Sequence, residues 1–392
     1  MHIAFLTPEY PHPRVLHAAG IGTSIKNLVL ALVVKGVQVS VFVYGQSEGA
    51  VFEEAGVTIH LLKSQKYKGF GWYFHRKFIQ KYLNTHIVSE KIDLVEAPDW
   101  TGITAFMKLK APLVIRFHGS DTYFCHLEKR KQKFKNYWFE KLAMIRASAF
   151  VAPTAFAADV TQQLFGLTRK NIKVIYNGLD LNAFKNDAPL LYEKGLILYV
   201  GTIIRKKGVL ELPAIFNKVR EAIPEARLVL IGSDSFDIQT QSSSTWELLK
   251  KEFEVEDLEQ VSYLGKMSYI AVKEYIRKAN VCVFPSFAET FGMVTIEAMA
   301  MQKPVVSNDF EWSQEMIAHG ESGFLVRPSK HAEFAKRIVT LLEEEHLCEK
   351  MGDAARQRVE TIFDIQQIAQ QNVELYSEII LKSHKENEVR GI

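Results

Sequence analysis

Two glutamates, Glu289 and Glu297, flank a Phe291-Gly292 turn in the stretch PSFAETFGMVTIEAMAMQKPVV at residues 285–306. The residues before it, ANVCVFP at 279–285, are hydrophobic almost throughout, as a parallel strand covered on both faces must be. An apolar run of helical character follows. The two carboxylates therefore stand where a strand ends and a helix starts, which is where open α/β sheets bind ligands. Gly292 admits a ligand close to the backbone, and the free N–H groups of the new helix can hold phosphate or sugar oxygens. Such a site suits a ligand with many hydroxyls and an anionic end, as a nucleotide sugar has. Either glutamate alone reads equally well as a favourable charge at the positive end of a helix dipole.

Five further stretches carry candidate chemistry. In AAGIGTSIKNL at 18–28, Gly20 and Gly22 precede an apolar-periodic helix, a loop that can cradle an anion or simply turn tightly. A dinucleotide fingerprint is excluded. Ile25 stands where its third glycine belongs, and the second strand ends in Val43-Tyr44-Gly45 with no acidic residue for a ribose. VIRFHGSDTY at 114–123 puts His118 at the carboxyl end of a buried strand, ahead of a Ser120-Asp121 pair able to cap a helix. A histidine satisfied by backbone groups would look the same. In ILYVGTIIRKKGVLEL at 197–212, Lys207-Gly208 opens a helix beside Arg205 and Lys206. These cations could neutralise a diphosphate or merely form a solvated turn. Finally, KSQKYKGFGWYFHRK at 63–77 and LEKRKQKFKNYWFEK at 127–141 alternate basic residues with aromatics. That composition suits an anionic membrane surface or a polyanionic acceptor, and equally a solvated face. No nucleic-acid motif accompanies it, so no nucleic-acid partner is expected.

Taken together, the E-x7-E spacing at 289–297, R-x-H-G at 116–119 and the basic turn at 201–208 closely resemble the retaining nucleotide-sugar glycosyltransferases of GT-B architecture. The resemblance runs over nearly the whole chain and is strongest over 172–326. It implies a catalytic set of His118, Lys207 and Glu289. Lys207, helped by Arg205 and by amides of the Gly20-Gly22 and Phe291-Gly292 loops, would hold the donor diphosphate. Glu289 would orient the transferred sugar, Glu297 would bind the ribose diol, and Thr290 and Met293 would line the donor. His118 would face the transferred sugar or the acceptor. The resemblance further implies a hexosyltransferase that retains anomeric configuration by front-face attack, with no protein nucleophile. No cofactor and no metal are expected, in keeping with the lack of a D-x-D triad. The acceptor implied is a glycan or a lipid-linked molecule, in cell-surface polysaccharide or glycoconjugate synthesis. Three departures stand out: Thr202 replaces a usual arginine, Gln302 a common glycine, and EWSQE at 311–315 lacks a glycine pair. Other GT-B sugar-nucleotide enzymes, such as an epimerase or a phosphorylase, remain alternatives. So does a non-catalytic sugar- or membrane-binding homologue, which only Thr202 favours.

The elements that must position these residues alternate, strand and helix, almost from end to end. That pattern predicts parallel sheets with helical crossovers. Helices are expected at 24–35, 102–109 and 137–146, at 210–221, 244–253, 268–278, 294–301 and 333–343, and over a long polar stretch at 364–385. A chain of 392 residues suits two domains. The expectation is GT-B, two Rossmann-like doubly wound domains facing across a cleft: an acceptor domain at 1–185, a nucleotide-sugar domain at 186–368, and a final helix at 369–392 crossing back to the first. Residues 1–185 carry 24 basic against 13 acidic side chains, and the rest 24 against 32. A basic first half of this kind suits an anionic surface or acceptor. Three cysteines, Cys125, Cys282 and Cys348, make no C-x-x-C pair, so reduced thiols and a cytoplasmic protein are expected. Met1 leads directly into HIAFLTPEY, and the longest apolar run, LVLALVV, is too short for a bilayer. Neither a leader nor a membrane span is expected, and any membrane association would be peripheral.

Overall fold

Apolar strands buried on both faces build two parallel sheets, one in each of two compact units. The structure, a computed structural model, describes residues 1–168 and 171–390. The first unit comprises Met1–Leu179 with the chain from Ile365 onward, and the second is Asp180–Asp364. The divisions thus fall at 179/180 and 364/365, whereas the sequence suggested 185/186 and 368/369.

In the first unit the strands are β1 (His2–Thr7), β2 (Gln38–Gln46), β3 (Ala50–Glu54), β4 (Val57–Lys63), β5 (Leu94–Pro98), β6 (Leu113–Arg116), β7 (Ala149–Ala152) and β8 (Ile172–Val174). Their order is β3-β4-β2-β1-β5-β6-β7-β8, parallel except for the β3–β4 pair. The order reverses direction between β1 and β5. A crevice therefore opens at their carboxyl ends, the switch point at which such sheets bind ligands. Helices α1 (Gly20–Val34), α2 (Gly71–Ser89), α3 (Asp121–Leu127), α4 (Phe134–Ile145) and α5 (Ala155–Phe165) cross over between strands. Ser120 caps α3, accepting from Tyr123 N at 3.1 Å, and Thr154 caps α5, accepting from Ala157 N at 3.0 Å.

In the second unit β9 (Leu196–Val200), β10 (Arg227–Ile231), β11 (Val261–Tyr263), β12 (Val281–Phe284), β13 (Val305–Ser307) and β14 (Phe324–Leu325) are ordered β11-β10-β9-β12-β13-β14, all parallel. Here the switch point lies between β9 and β12. The covering helices are α6 (Leu212–Ala222), α7 (Thr245–Lys251), α8 (Val255–Leu258), α9 (Tyr269–Lys278), α10 (Met293–Ala300), α11 (Glu311–Met316), α12 (His331–Glu343) and α13 (Glu345–Ile362). The last helix, α14 (Ile365–Arg390), belongs to the first unit and packs on α1. Its Ile368, Ala369, Tyr376 and Ile379 join the same core as Phe5, Leu28 and Val41.

Three differences from the sequence reading have physical causes. The helix expected at 102–109 is absent; a single short turn at Trp100–Gly102 stands there. Gly102 has φ +55° and passes so close to α4 that a Cβ would lie 2.3 Å from the Phe139 carbonyl carbon, and that approach breaks the run. Conversely, α2 occupies a basic-aromatic stretch read only for its composition, and α5 and α13 also went unread. The edge strand β3 pairs antiparallel with β4 through residues that alternate half-buried and exposed, too weak an apolar signal to find.

Candidate active site

In the second unit the chemistry gathers at the switch point. β9 ends at Val200, and the chain then turns through Arg205–Lys207 to Gly208. β12 ends at Phe284 and runs through Ser286 and Glu289 to Gly292, the residue before α10. The two loops are stitched together. Phe287 N and Ala288 N both donate to Lys206 O, at 2.8 and 3.3 Å. Gly208, with φ +68°, comes so near Pro285 that a Cβ would sit 1.8 Å from its carbonyl oxygen. Only glycine fits there. Held in this way, the half-buried Lys207 donates through Nζ to Glu289 Oε1, and Ser286 Oγ donates to the same oxygen at 3.2 Å. Lys207, Ser286, Glu289, Gly292 and Thr295 line one small pocket together with the buried Tyr199 and Trp312.

Glu297 lies within α10 and is 3% exposed. Burial raises its carboxyl to about 7, against the lowering effects of the Tyr269 hydroxyl and Lys273. Tyr269 Oη donates to Glu297 Oε1 at 2.8 Å. Gly292, Thr290 and Met293 are half-buried at the head of α10, where first-turn amides have no carbonyl within the helix to pair with. Phe291 departs from the simple picture. Its ring is 3% exposed and meets the Phe363 ring edge-on at 5.6 Å. Arg205 departs too. Its guanidinium forks the carboxylate of Asp237, Nε to Oδ1 at 2.9 Å and a terminal nitrogen to Oδ2 at 2.8 Å. That contact, with help from Thr240, holds the 2%-exposed Asp237 well below the usual carboxylate range. Arg205 and Lys207 are thus two residues apart but serve different carboxylates.

In the first unit the loops after β1, β5 and β6 carry the candidates. Gly20 opens α1 in an exposed position with open space around its Cα. Gly22 is buried, and a Cβ there would come within 3.1 Å of the Glu9 and Tyr10 backbone. Its N–H donates to Glu9 Oε1 at 2.8 Å. The helix N-terminus read from the sequence as an anion site therefore already holds a carboxylate of its own chain. His118 follows β6, half-buried, and its backbone N–H donates to Asp99 Oδ1 at 2.8 Å. Burial, and then the Arg116 charge, push its imidazole down to about 3, so the ring is neutral at working pH. Asp99, just past β5, is fully buried, and its Oδ2 has no hydrogen-bond partner among the described residues. Burial lifts its carboxyl to about 7.

Glu9, Asp99, Asp237 and Tyr269 were missed from sequence. A signal existed for two of them: Glu9 and Asp99 are acidic residues just past the strands β1 and β5, at the switch point. Asp237 and Tyr269 carry no such mark.

Two family models match the chain, Glycosyltransferase Family 4 over residues 18–183 and Glycosyl transferases group 1 over residues 182–358. An uncharacterized glycosyltransferase of Methanocaldococcus jannaschii is 24% identical over 358 residues, covering 90% of this chain and 92% of the relative. The capsular polysaccharide biosynthesis glycosyltransferase CapM of Staphylococcus aureus is 26% identical over 64% of this chain and 67% of its own length. Among solved structures, a sucrose-phosphate synthase from Thermosynechococcus elongatus superposes with a TM-score of 0.79 at 20% identity, covering 97% of this chain and 99% of that one. Anabaena HepE, solved in complex with UDP, gives 0.72 at 20% identity, covering 96% and 100%.

Proposed function

The chain belongs to the GT-B nucleotide-sugar glycosyltransferases, and we propose that it transfers a hexose from a nucleoside-diphosphate sugar to a glycan or lipid-linked acceptor with retention of configuration. The observation that carries this reading is the Lys207–Glu289 pair beside the head of α10. When the sugar–phosphate bond breaks, negative charge grows on the diphosphate and positive character on the anomeric carbon. Lys207 and the first amides of α10 answer the first, as preorganised donors that need no reorganisation during reaction. Glu289, freed from Lys207 by the phosphate, takes the sugar hydroxyls. Glu297 and Tyr269 receive the ribose diol. The acceptor oxygen bonds the anomeric carbon on the face the phosphate leaves, and its proton passes to the departing phosphate oxygen. No protein nucleophile and no metal enter these steps. Crystals of HepE hold UDP and glucose, which supports the donor class.

On the acceptor side we assign neutral His118, seated on Asp99, to a hydroxyl hydrogen bond. A lipid-linked acceptor also fits the surface of the first unit. Phe70, Phe74, Phe134 and Trp138 are exposed there, among the exposed Lys66, Lys68, Lys133 and Lys135. No helix among the described residues is long and apolar enough to cross a membrane. A peripheral protein at the cytoplasmic face fits both facts.

A panel of nucleotide sugars read by thermal shift finds the donor, since a ligand of the folded state alone raises Tm. With that donor, Glu289→Ala is expected to lower transfer by about 10²–10³-fold while the chain stays folded. Full activity in the folded variant would reject the assignment. Proton NMR of the new linkage reads its anomeric configuration, and inversion would reject retention.

A further inference from the structure

Away from these residues, one cluster in the first unit has the chemistry of a ligand set. His60 on β4, with His86 and Glu90 at the C-terminal end of α2, brings three donor atoms within 4.8 Å of one another. His60 is 1% exposed and stacks on Phe42 at 4.3 Å, and its Nε2 has no hydrogen-bond partner among the described residues. A buried ring nitrogen left unsatisfied is uncommon and calls for an explanation. The other nitrogen, Nδ1, lies 3.2 Å from Tyr82 Oη. With the ring proton on Nδ1 and donated to Tyr82, Nε2 presents its lone pair, the arrangement in which an outer partner orients a metal-bound histidine.

His86 and Glu90 stand one turn apart on the same helix face, half-buried, with Nδ1 and Oε1 2.6 Å apart. Two imidazoles and a carboxylate with one side toward solvent match a three-ligand zinc set, water taking the fourth position. Bonds of about 2.0–2.2 Å hold tetrahedral ligands roughly 3.3 Å apart, a spacing that rotation of the half-buried His86 and Glu90 side chains can reach. We propose that His60, His86 and Glu90 bind a divalent transition-metal ion of the zinc class, which pins α2 to β4 and takes no part in sugar transfer. The proposal does not rest on the transferase reading.

The test uses the full chain, stripped by chelator and titrated with Zn²⁺ alone by calorimetry, with Co²⁺ absorption reporting the coordination. One ion per chain, a tetrahedral Co²⁺ spectrum and a higher Tm with Zn²⁺ are expected. Saturable binding should vanish in His86→Gln and in Glu90→Gln, both half-buried positions that leave the core intact. Tyr82→Phe, which removes the orienting hydroxyl, should weaken it about tenfold. No saturable binding by the native chain, or equal binding in both His86→Gln and Glu90→Gln, would overturn the proposal.

Discussion

Glu297 shows how burial sets the behaviour of a single residue. Its carboxyl titrates near 7 in the folded chain against an ordinary 4.5. Between these values the unfolded chain gives up a proton that the folded chain keeps, so stability falls as pH rises through this window and levels off above it. Glu297→Gln removes that dependence and keeps an acceptor for Tyr269. Without ligand, the variant should match the native chain near pH 4.5 and exceed it by roughly 1–3 kcal/mol near pH 8, read as the difference in denaturation midpoints. A pH-independent difference would mean that the carboxyl is solvated. With donor present the order should reverse, because the amide no longer accepts both hydroxyls of a diol. The two glutamates were legible as a pair in the sequence, yet their states differ. Glu289 faces a lysine, whereas Glu297 faces a tyrosine in a dry site, and nothing in E-x7-E distinguishes the two.

At the scale of elements, the loops after β9 and β12 act as one piece because Gly208 lets their backbones touch. Gly208→Ala needs both a left-handed φ and room that the Pro285 carbonyl occupies, each unfavourable by about 1–3 kcal/mol. The expected outcome is a stable but softened second unit in which Lys207 no longer meets Glu289. Transfer should fall about as far as in Glu289→Ala, while Gly265→Ala, also at positive φ (+67°) but with open space around it, should cost stability alone. Equal activity in the two glycine variants would refute the coupling of the loops. The basic turn and the carboxylate loop were both readable as strand-to-helix junctions. Their contact was not, because residues 82 positions apart meet only when β9 and β12 are neighbours.

For the molecule as a whole, the chain closes on itself through α14. Arg116 at the end of β6 forks Glu96 on β5 at 2.6 and 3.0 Å, and the same guanidinium reaches Asn372 of α14 at 2.6 Å. Tyr376 Oη donates to Glu96 Oε2 at 2.6 Å. All four side chains are buried. A chain ending at Asp364 would strip this network and bare the core beneath α14. Its calorimetric trace should lose or lower the transition of the first unit and leave that of the second in place, since Asp180–Asp364 has its own core. A concerted loss of both would show that the units unfold together. The charge asymmetry also belongs to this scale. Sedimentation with vesicles rich in anionic lipid should be strong at low ionic strength and weaken as salt screens the lysines. Phe134→Ser with Trp138→Ser should reduce it further. Binding indifferent to both salt and lipid charge would exclude the membrane surface.

Periodicity, strand ends and glycine positions are local properties. From them the sequence alone determined two doubly wound α/β units and which residues stand where strands give way to helices. Partnership is not local. Strand order decided that Lys207 meets Glu289, that Arg205 is held by Asp237 and that Asp99 underlies His118, while the path of the single connection between β1 and α1 seats Glu9 on the amide of Gly22. The first three contacts join loops that follow different, neighbouring strands, and an ion pair or hydrogen bond forms only where folding closes the distance between groups that the chain keeps apart.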